Sequence, residues 1–171
     1  MKAVILPYDD ESNKYRKELI QGFVDVEGVD ISPGSWHPLS PLLYSVFAES
    51  DRPEIVHVHW LHLFFLDNNP IETIIKLVRF PFELVFLRAM GIRIIWTVHN
   101  LQEHDQRLPR IELAYRTFSA RVVSGMIVHC DRAKELVINN YRMGGKRSSK
   151  VHVIPHGNYI ESYENSYSQY E

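Results

Sequence analysis

The chain has 171 residues, 45% hydrophobic and 23% charged, which is the length and balance of one globular domain with a sizeable core and excludes a disordered or fibrous protein. A formal net charge of −2 argues against a nucleic-acid binder. The single cysteine, Cys130, rules out an internal disulfide and is compatible with a reducing compartment.

Short apolar runs of strand length alternate with helical patterns along the chain. Lys2–Leu6 is the first strand, too short for a signal peptide. Ser12 to Phe23 has helical spacing, with Tyr15, Leu19 and Phe23 four apart and Ser12 as the expected cap. Gly28 to Ser32 is the second strand, turned by Pro33-Gly34, and Leu42 to Ala48 is a short helix. Ile55–Trp60 is the third strand. Asn68-Asn69-Pro70 precedes a long helix from Ile71 to Met90, expected to bend at Pro81 and to end at Gly91. Ile92–Val98 is the fourth and most apolar strand, Pro109 to Val123 a helix and Met126–His129 the fifth strand. Asp131 is the expected cap of a helix through Tyr141, and Val151–Ile154 is the sixth strand. Arg142, Lys146, Arg147 and Lys150 read as a solvated loop, and Glu161 to Glu171 as a linker or tail. This βαβα alternation predicts an α/β fold, a Rossmann-like three-layer domain with a mainly parallel central sheet. Charges at Glu72, Lys76, Arg79, Glu83, Arg88 and Arg93 interrupt the stretch from Ile71 to Ile95, so it does not read as a membrane span.

Ligands of such sheets sit beyond the C-terminal ends of the strands. There the sequence places His57, His59, Trp60 and His62, then His99, Asn100, Glu103, His104 and Asp105, then His129, then His156, Gly157 and Asn158. Three chemistries compete for the histidines. His57 and His59 share a strand face and, with His62, could bind a metal. Cys130 beside His129 could be a nucleophile, but neighbours on a strand point to opposite faces, and no Gly-x-Ser-x-Gly elbow is present. Imidazoles and amides that bind substrate hydroxyls and phosphates fit the pattern best. The loop after the first strand lacks glycine, and neither Gly-x-Gly-x-x-Gly nor a Walker lysine motif occurs there, which argues against a dinucleotide site.

Several segments together resemble one family. Trp96-Thr97-Val98-His99-Asn100-Leu101 with His104-Asp105, Ile55-Val56-His57-Val58-His59-Trp60, Ile127-Val128-His129-Cys130, Asn13-Lys14-Tyr15 and Val151 to Tyr159 occur in order over nearly the whole chain. They resemble the N-terminal half of glycosyltransferases with the GT-B architecture, of the family-four type. The resemblance implies two Rossmann-like domains facing a cleft, with residues 1–157 as the acceptor-side domain and 158–171 as the start of an interdomain linker or a disordered tail. The C-terminal donor domain would follow as a partner, in the same chain or as a separate subunit. It implies transfer of a sugar from a nucleotide-sugar donor to a glycan or lipid-linked acceptor, with no cofactor held by this half and no turnover without the other. By the same resemblance His99 approaches the donor sugar. In an inverting reaction His99, Glu103, His104 or Asp105 would be the base; in a retaining one none of them is required. Asn13, Tyr15, His59, Trp60, Asn100, Glu103, His129, His156, Gly157 and Asn158 would bind donor or acceptor. The family's Gly-Gly pair after the first strand is replaced here by Asp9, Asp10 and Glu11, which disfavours diphosphate contact by that loop.

Two further expectations remain. Phe64, Phe65, Phe80, Phe82 and Phe86 lie either in the core or on a wedge that docks the protein on the inner face of a membrane; a cytoplasmic location follows in either case. The alternatives to a glycosyltransferase half are a stand-alone α/β ligand-binding or regulatory module, and a metal-dependent hydrolase using His57, His59 and His62.

Overall fold

The computed structural model describes residues 1–7, 14–102 and 108–157. In chain order the elements are β1 (Lys2–Leu6), α1 (Lys14–Gln21), β2 (Asp30–Pro33), α2 (Pro41–Phe47), β3 (Ile55–Val58), α3 (Pro70–Ala89), β4 (Arg93–Thr97), α4 (Pro109–Val122), β5 (Gly125–Val128), α5 (Asp131–Asn140) and β6 (Val151–Val153). Single 3-10 helices at Leu61–Phe64 and Gly145–Lys150 precede α3 and β6. The six strands form one parallel sheet in the order β2-β1-β3-β4-β5-β6. The fold is therefore the α/β, Rossmann-like, three-layer architecture that the alternation of elements predicts.

The chain steps from β1 to β2 in one direction and from β3 to β6 in the other. Right-handed crossovers then put α1 on one face of the sheet and α2 to α5 on the opposite face. Side-chain alternation along the strands agrees. Val4, Leu6, Val56, Val58, Ile94, Trp96, Met126 and Val128 are sealed into one core with Leu42 of α2, Phe80 and Leu84 of α3, Ala120 of α4 and Val137 of α5. Burying each large side chain there contributes roughly 1.5–3 kcal/mol. Ala3, Ile5, Ile55, Ile95 and Ile127 point the other way and look across a cavity of about 300 Å³ at Tyr15, Leu19 and Phe23.

The long helix explains itself locally. Asn69 caps α3 by accepting a hydrogen bond from the Ile71 amide at 2.9 Å, and Pro70 occupies the first turn, where its missing N–H costs nothing. At the far end Gly91 takes a left-handed φ of 84°. The Gly91 and Ile92 amides donate back to the Arg88 and Leu87 carbonyls at 3.1 and 3.0 Å, a Schellman ending. Pro81 does not end the helix. A proline leaves the carbonyl four residues earlier without its donor, and here the Tyr115 hydroxyl of α4 fills that place, donating to the Leu77 carbonyl at 2.6 Å.

Some boundaries differ from those expected. β3 stops at Val58, not Trp60, because Trp60 adopts a left-handed φ of 40° that an extended strand cannot contain. Cys130, not Asp131, occupies the cap position of α5, and Asp131 lies in its first turn. The basic stretch near residue 146 is not all solvated loop: Lys150 donates to the carbonyls of Arg121 and Val123 at 3.2 and 3.0 Å, at the end of α4. Of the five phenylalanines weighed as a membrane wedge, Phe64, Phe65 and Phe80 are fully buried, and only Phe82 and Phe86 are exposed. Among the described residues no helix is long and apolar enough to cross a membrane. Ser12, the expected cap of α1, and residues 158–171 lie outside the described residues.

Candidate functional site

The C-terminal ends of β3, β4, β5 and β6 converge on Tyr15 of α1. Its ring lies 5.5 Å from that of His59, 5.2 Å from His99, 6.3 Å from His129 and 4.9 Å from His156. Four imidazoles from four different strand ends thus surround one phenol. Each arrives by a backbone device. The His59 amide donates to the Leu6 carbonyl at 2.8 Å, extending the β1–β3 ladder by one residue. The Val98 amide donates to the Ile127 carbonyl at 2.9 Å and holds the start of the loop that carries His99. The Ile154 amide donates to the Val128 carbonyl at 2.8 Å and keeps His156 beside His129, their rings 4.7 Å apart.

Trp60 leaves β3 in its left-handed conformation, and the buried Leu61, Phe64 and Phe65 that follow anchor the turn. This lays the indole flat on His99, with ring centres 4.6 Å apart and planes 9° from parallel. The fully buried His59 completes the group, its Nδ1 3.0 Å from His99 Nε2. One of these nitrogens must carry the proton and the other accept it. His57, one pleat back on β3, shares a hydrogen with Thr97 Oγ1 at 2.8 Å. Burial, and then the proximity of His99, push its pKa down to about 4, so it is neutral near pH 7. His129 donates from Nδ1 to the Ile154 carbonyl at 3.0 Å, and its buried Nε2 has no hydrogen-bond partner among the described residues. In the neutral ring that nitrogen is an acceptor.

The sequence candidates therefore divide. Tyr15, His59, Trp60, His99, His129 and His156 are brought together. Gly157 borders the adjoining cavity, with Tyr15, His57, His129 and His156. Asn100 contributes through its backbone: its carbonyl accepts from Arg116 Nη1 at 2.9 Å. Asn13, Glu103, His104, Asp105 and Asn158 lie outside the described residues. His62 sits on the Leu61–Phe64 turn, one step beyond the other two histidines of the metal reading. Among the described residues no three His, Cys, Asp or Glu side chains are grouped to hold a metal ion, so the three-histidine ligand set is not assembled.

Three residues were not singled out from sequence. Thr97 is the partner of His57. Arg116 and Tyr141 hold the loop after β4 from below, through the Asn100 and Leu101 carbonyls at 2.9 Å each. Arg116 is itself buried and forked onto Glu112 Oε1, with both Nε and Nη2 at 2.7 Å. The Glu112–Arg116 spacing of four is visible in the sequence, but on a helix it reads as an ordinary surface pair.

Comparison with models of known protein families finds none that matches the chain, and comparison with curated proteins finds no match either.

Proposed function

We propose that this domain is the acceptor-binding half of a glycosyltransferase, which works with a C-terminal donor-binding domain to move a sugar from a nucleotide-sugar to a glycan or lipid-linked acceptor. The observation that carries the reading is the convergence of Tyr15, His59, Trp60, His99, His129 and His156 at one edge of the sheet. Rings and imidazoles suit a sugar: the rings pack against its C–H faces, and ring nitrogens give or take hydrogen bonds with its hydroxyls. The edge is also where a parallel sheet receives ligands. The motifs that resemble family-four glycosyltransferases supply the reaction class. In that reading His99 faces the transferred sugar, and the leaving phosphate is held by the other domain, which makes this half inactive alone.

Saturation-transfer NMR with a panel of oligosaccharides and with UDP-glucose tests the proposal. Saccharide binding that is lost in His99→Ala and Trp60→Ala, with little contact to the nucleotide, is expected. Binding of no saccharide by a folded wild-type domain overturns it. The cavity under α1 favours a second reading, a stand-alone binding module for a small apolar ligand. Retention of 1-decanol by the wild type, reduced when Ile95→Trp fills the cavity and unchanged in Trp60→Ala, would support that reading instead.

A further inference from the structure

We propose that α3 is a self-association seam, packing against the same helix of a second copy of this chain. The observation is a row of exposed apolar residues along all of α3: Ile71, Ile75, Val78, Phe82, Val85 and Ala89. Their spacings alternate four, three, four, three, four. That is the pattern by which one helix presents knobs to the holes of another. Ile74 and Phe86 flank the row and are also exposed, so the apolar stripe covers an arc of roughly 120° on the helix surface. An arc that narrow fits one partner helix along its length.

Exposure in the middle of the row is high, 75% for Val78 and 62% for Phe82. The opposite side of the helix is already used, with Phe80, Leu84 and Leu87 buried in the domain core. Nothing in α3's own packing needs the outer stripe to be apolar. From these exposures the stripe offers roughly 700 Å² of apolar surface per copy, above the largest patch of an ordinary monomer and close to one side of a standard interface.

The charges on α3 favour a protein helix over a lipid surface. A helix lying on an anionic bilayer turns its cations outward to the headgroups. Here Lys76 is turned onto Asp67 at 2.5 Å, Arg79 onto the Pro38 and Phe64 carbonyls at 2.8 Å each, and Arg88 onto the Ile92 carbonyl at 2.9 Å. Each draws its charge back toward the domain, and Glu72, the exposed charge that remains on α3 beside the stripe, has the sign that an anionic bilayer repels.

Sedimentation velocity over micromolar to submillimolar concentration tests the proposal. The wild type is expected to form a dimer that Val78→Asp weakens by about 30-fold or more, as befits the centre of an interface. Because Val78 is exposed, the variant should keep the circular dichroism of the wild type and, at concentrations where both are monomeric, its melting temperature. A second pair of variants reads the contact directly. In a Cys130→Ser background, chains carrying Val78→Cys mixed with chains carrying Phe82→Cys should cross-link on oxidation, since the midpoint of the stripe falls between these positions and a two-fold axis there sets one opposite the other. A wild type that stays monomeric throughout, or a dimer indifferent to both Val78→Asp and Phe82→Ser, overturns the proposal. So does a monomer that binds phosphatidylglycerol vesicles through the stripe, which would assign the face to lipid.

Discussion

His59 Nδ1 and His99 Nε2 lie 3.0 Å apart, so a single proton is held between two imidazoles at the heart of the candidate site. A second proton there would set two N–H groups against each other. His57 lies one pleat behind the pair, its ring 4.3 Å from that of His59, and His129 lies across Tyr15, so that charge on one ring bears on the next, as that of His99 does on His57.

His57 should report this directly. Its pKa of about 4 results first from burial and then from the neighbouring His99. In His99→Ala the second cause is gone while the first persists. The titration of His57, followed by NMR of its ring carbon protons, should then move upward yet stay below the ordinary histidine value of ~6.5. An unchanged or lower value would show that His99 does not act on it.

Stability should fall as acid is added across the same window. The unfolded chain protonates His57 near pH 6.5, while the folded chain does so only near pH 4. Between those values the unfolded state binds more protons, so each step down in pH favours unfolding. Linkage alone gives roughly 3 kcal/mol, and because the ring borders a cavity open to water about 2 kcal/mol is the expected loss. Urea unfolding at pH 7 and at pH 4.5 measures it. His57→Leu should make the decline shallower, and an equal decline in that variant would sink the assignment.

Arg116 has two functions that substitution can separate. Arg116→Met strands Glu112 in the interior and should cost about 3–5 kcal/mol. Adding Glu112→Leu should restore much of that loss. It cannot restore the hydrogen bond to the Asn100 carbonyl. The double variant should therefore be stable but show faster amide exchange around residues 98–102 and weaker saccharide binding. Wild-type exchange there would mean that Arg116 is not the anchor.

The proline in α3 supplies a closed thermodynamic cycle. Tyr115→Phe removes the donor to the Leu77 carbonyl and should cost about 1–2 kcal/mol. In a Pro81→Ala background the new amide takes over that carbonyl, and the same Tyr115→Phe change should cost little. A coupling energy near zero in the double-mutant cycle would refute the compensation.

The architecture was legible in the sequence because strand and helix signals alternate without a gap. Lys2–Leu6 and the helices ending near Ala89, Val122 and Asn140 lie within a residue or two of their expected bounds. The end of β3 was not legible: His59 and Trp60 are good strand residues, and only tertiary packing of Leu61 and Phe64 turns the backbone left-handed there. The gathering of His59, His99, His129 and His156 was readable as a shared edge, though not as a ring around Tyr15. The supports were hidden for another reason. Arg116 and Tyr141 act through backbone carbonyls, which carry no sequence signature, and Glu112–Arg116 looks the same in sequence whether exposed or buried.

The strand order has a consequence for how the domain is made. β1 finds its first neighbour, β2, early, but its second edge waits for residues 55–58. From β3 onward every new strand joins the outer edge just completed, β4 on β3, then β5, then β6. No later strand has to be threaded between two earlier ones. A ribosome delivering this chain from its N-terminus could therefore extend the sheet one strand at a time in the order of translation, with the histidine ring closed last, when His156 emerges beside His129.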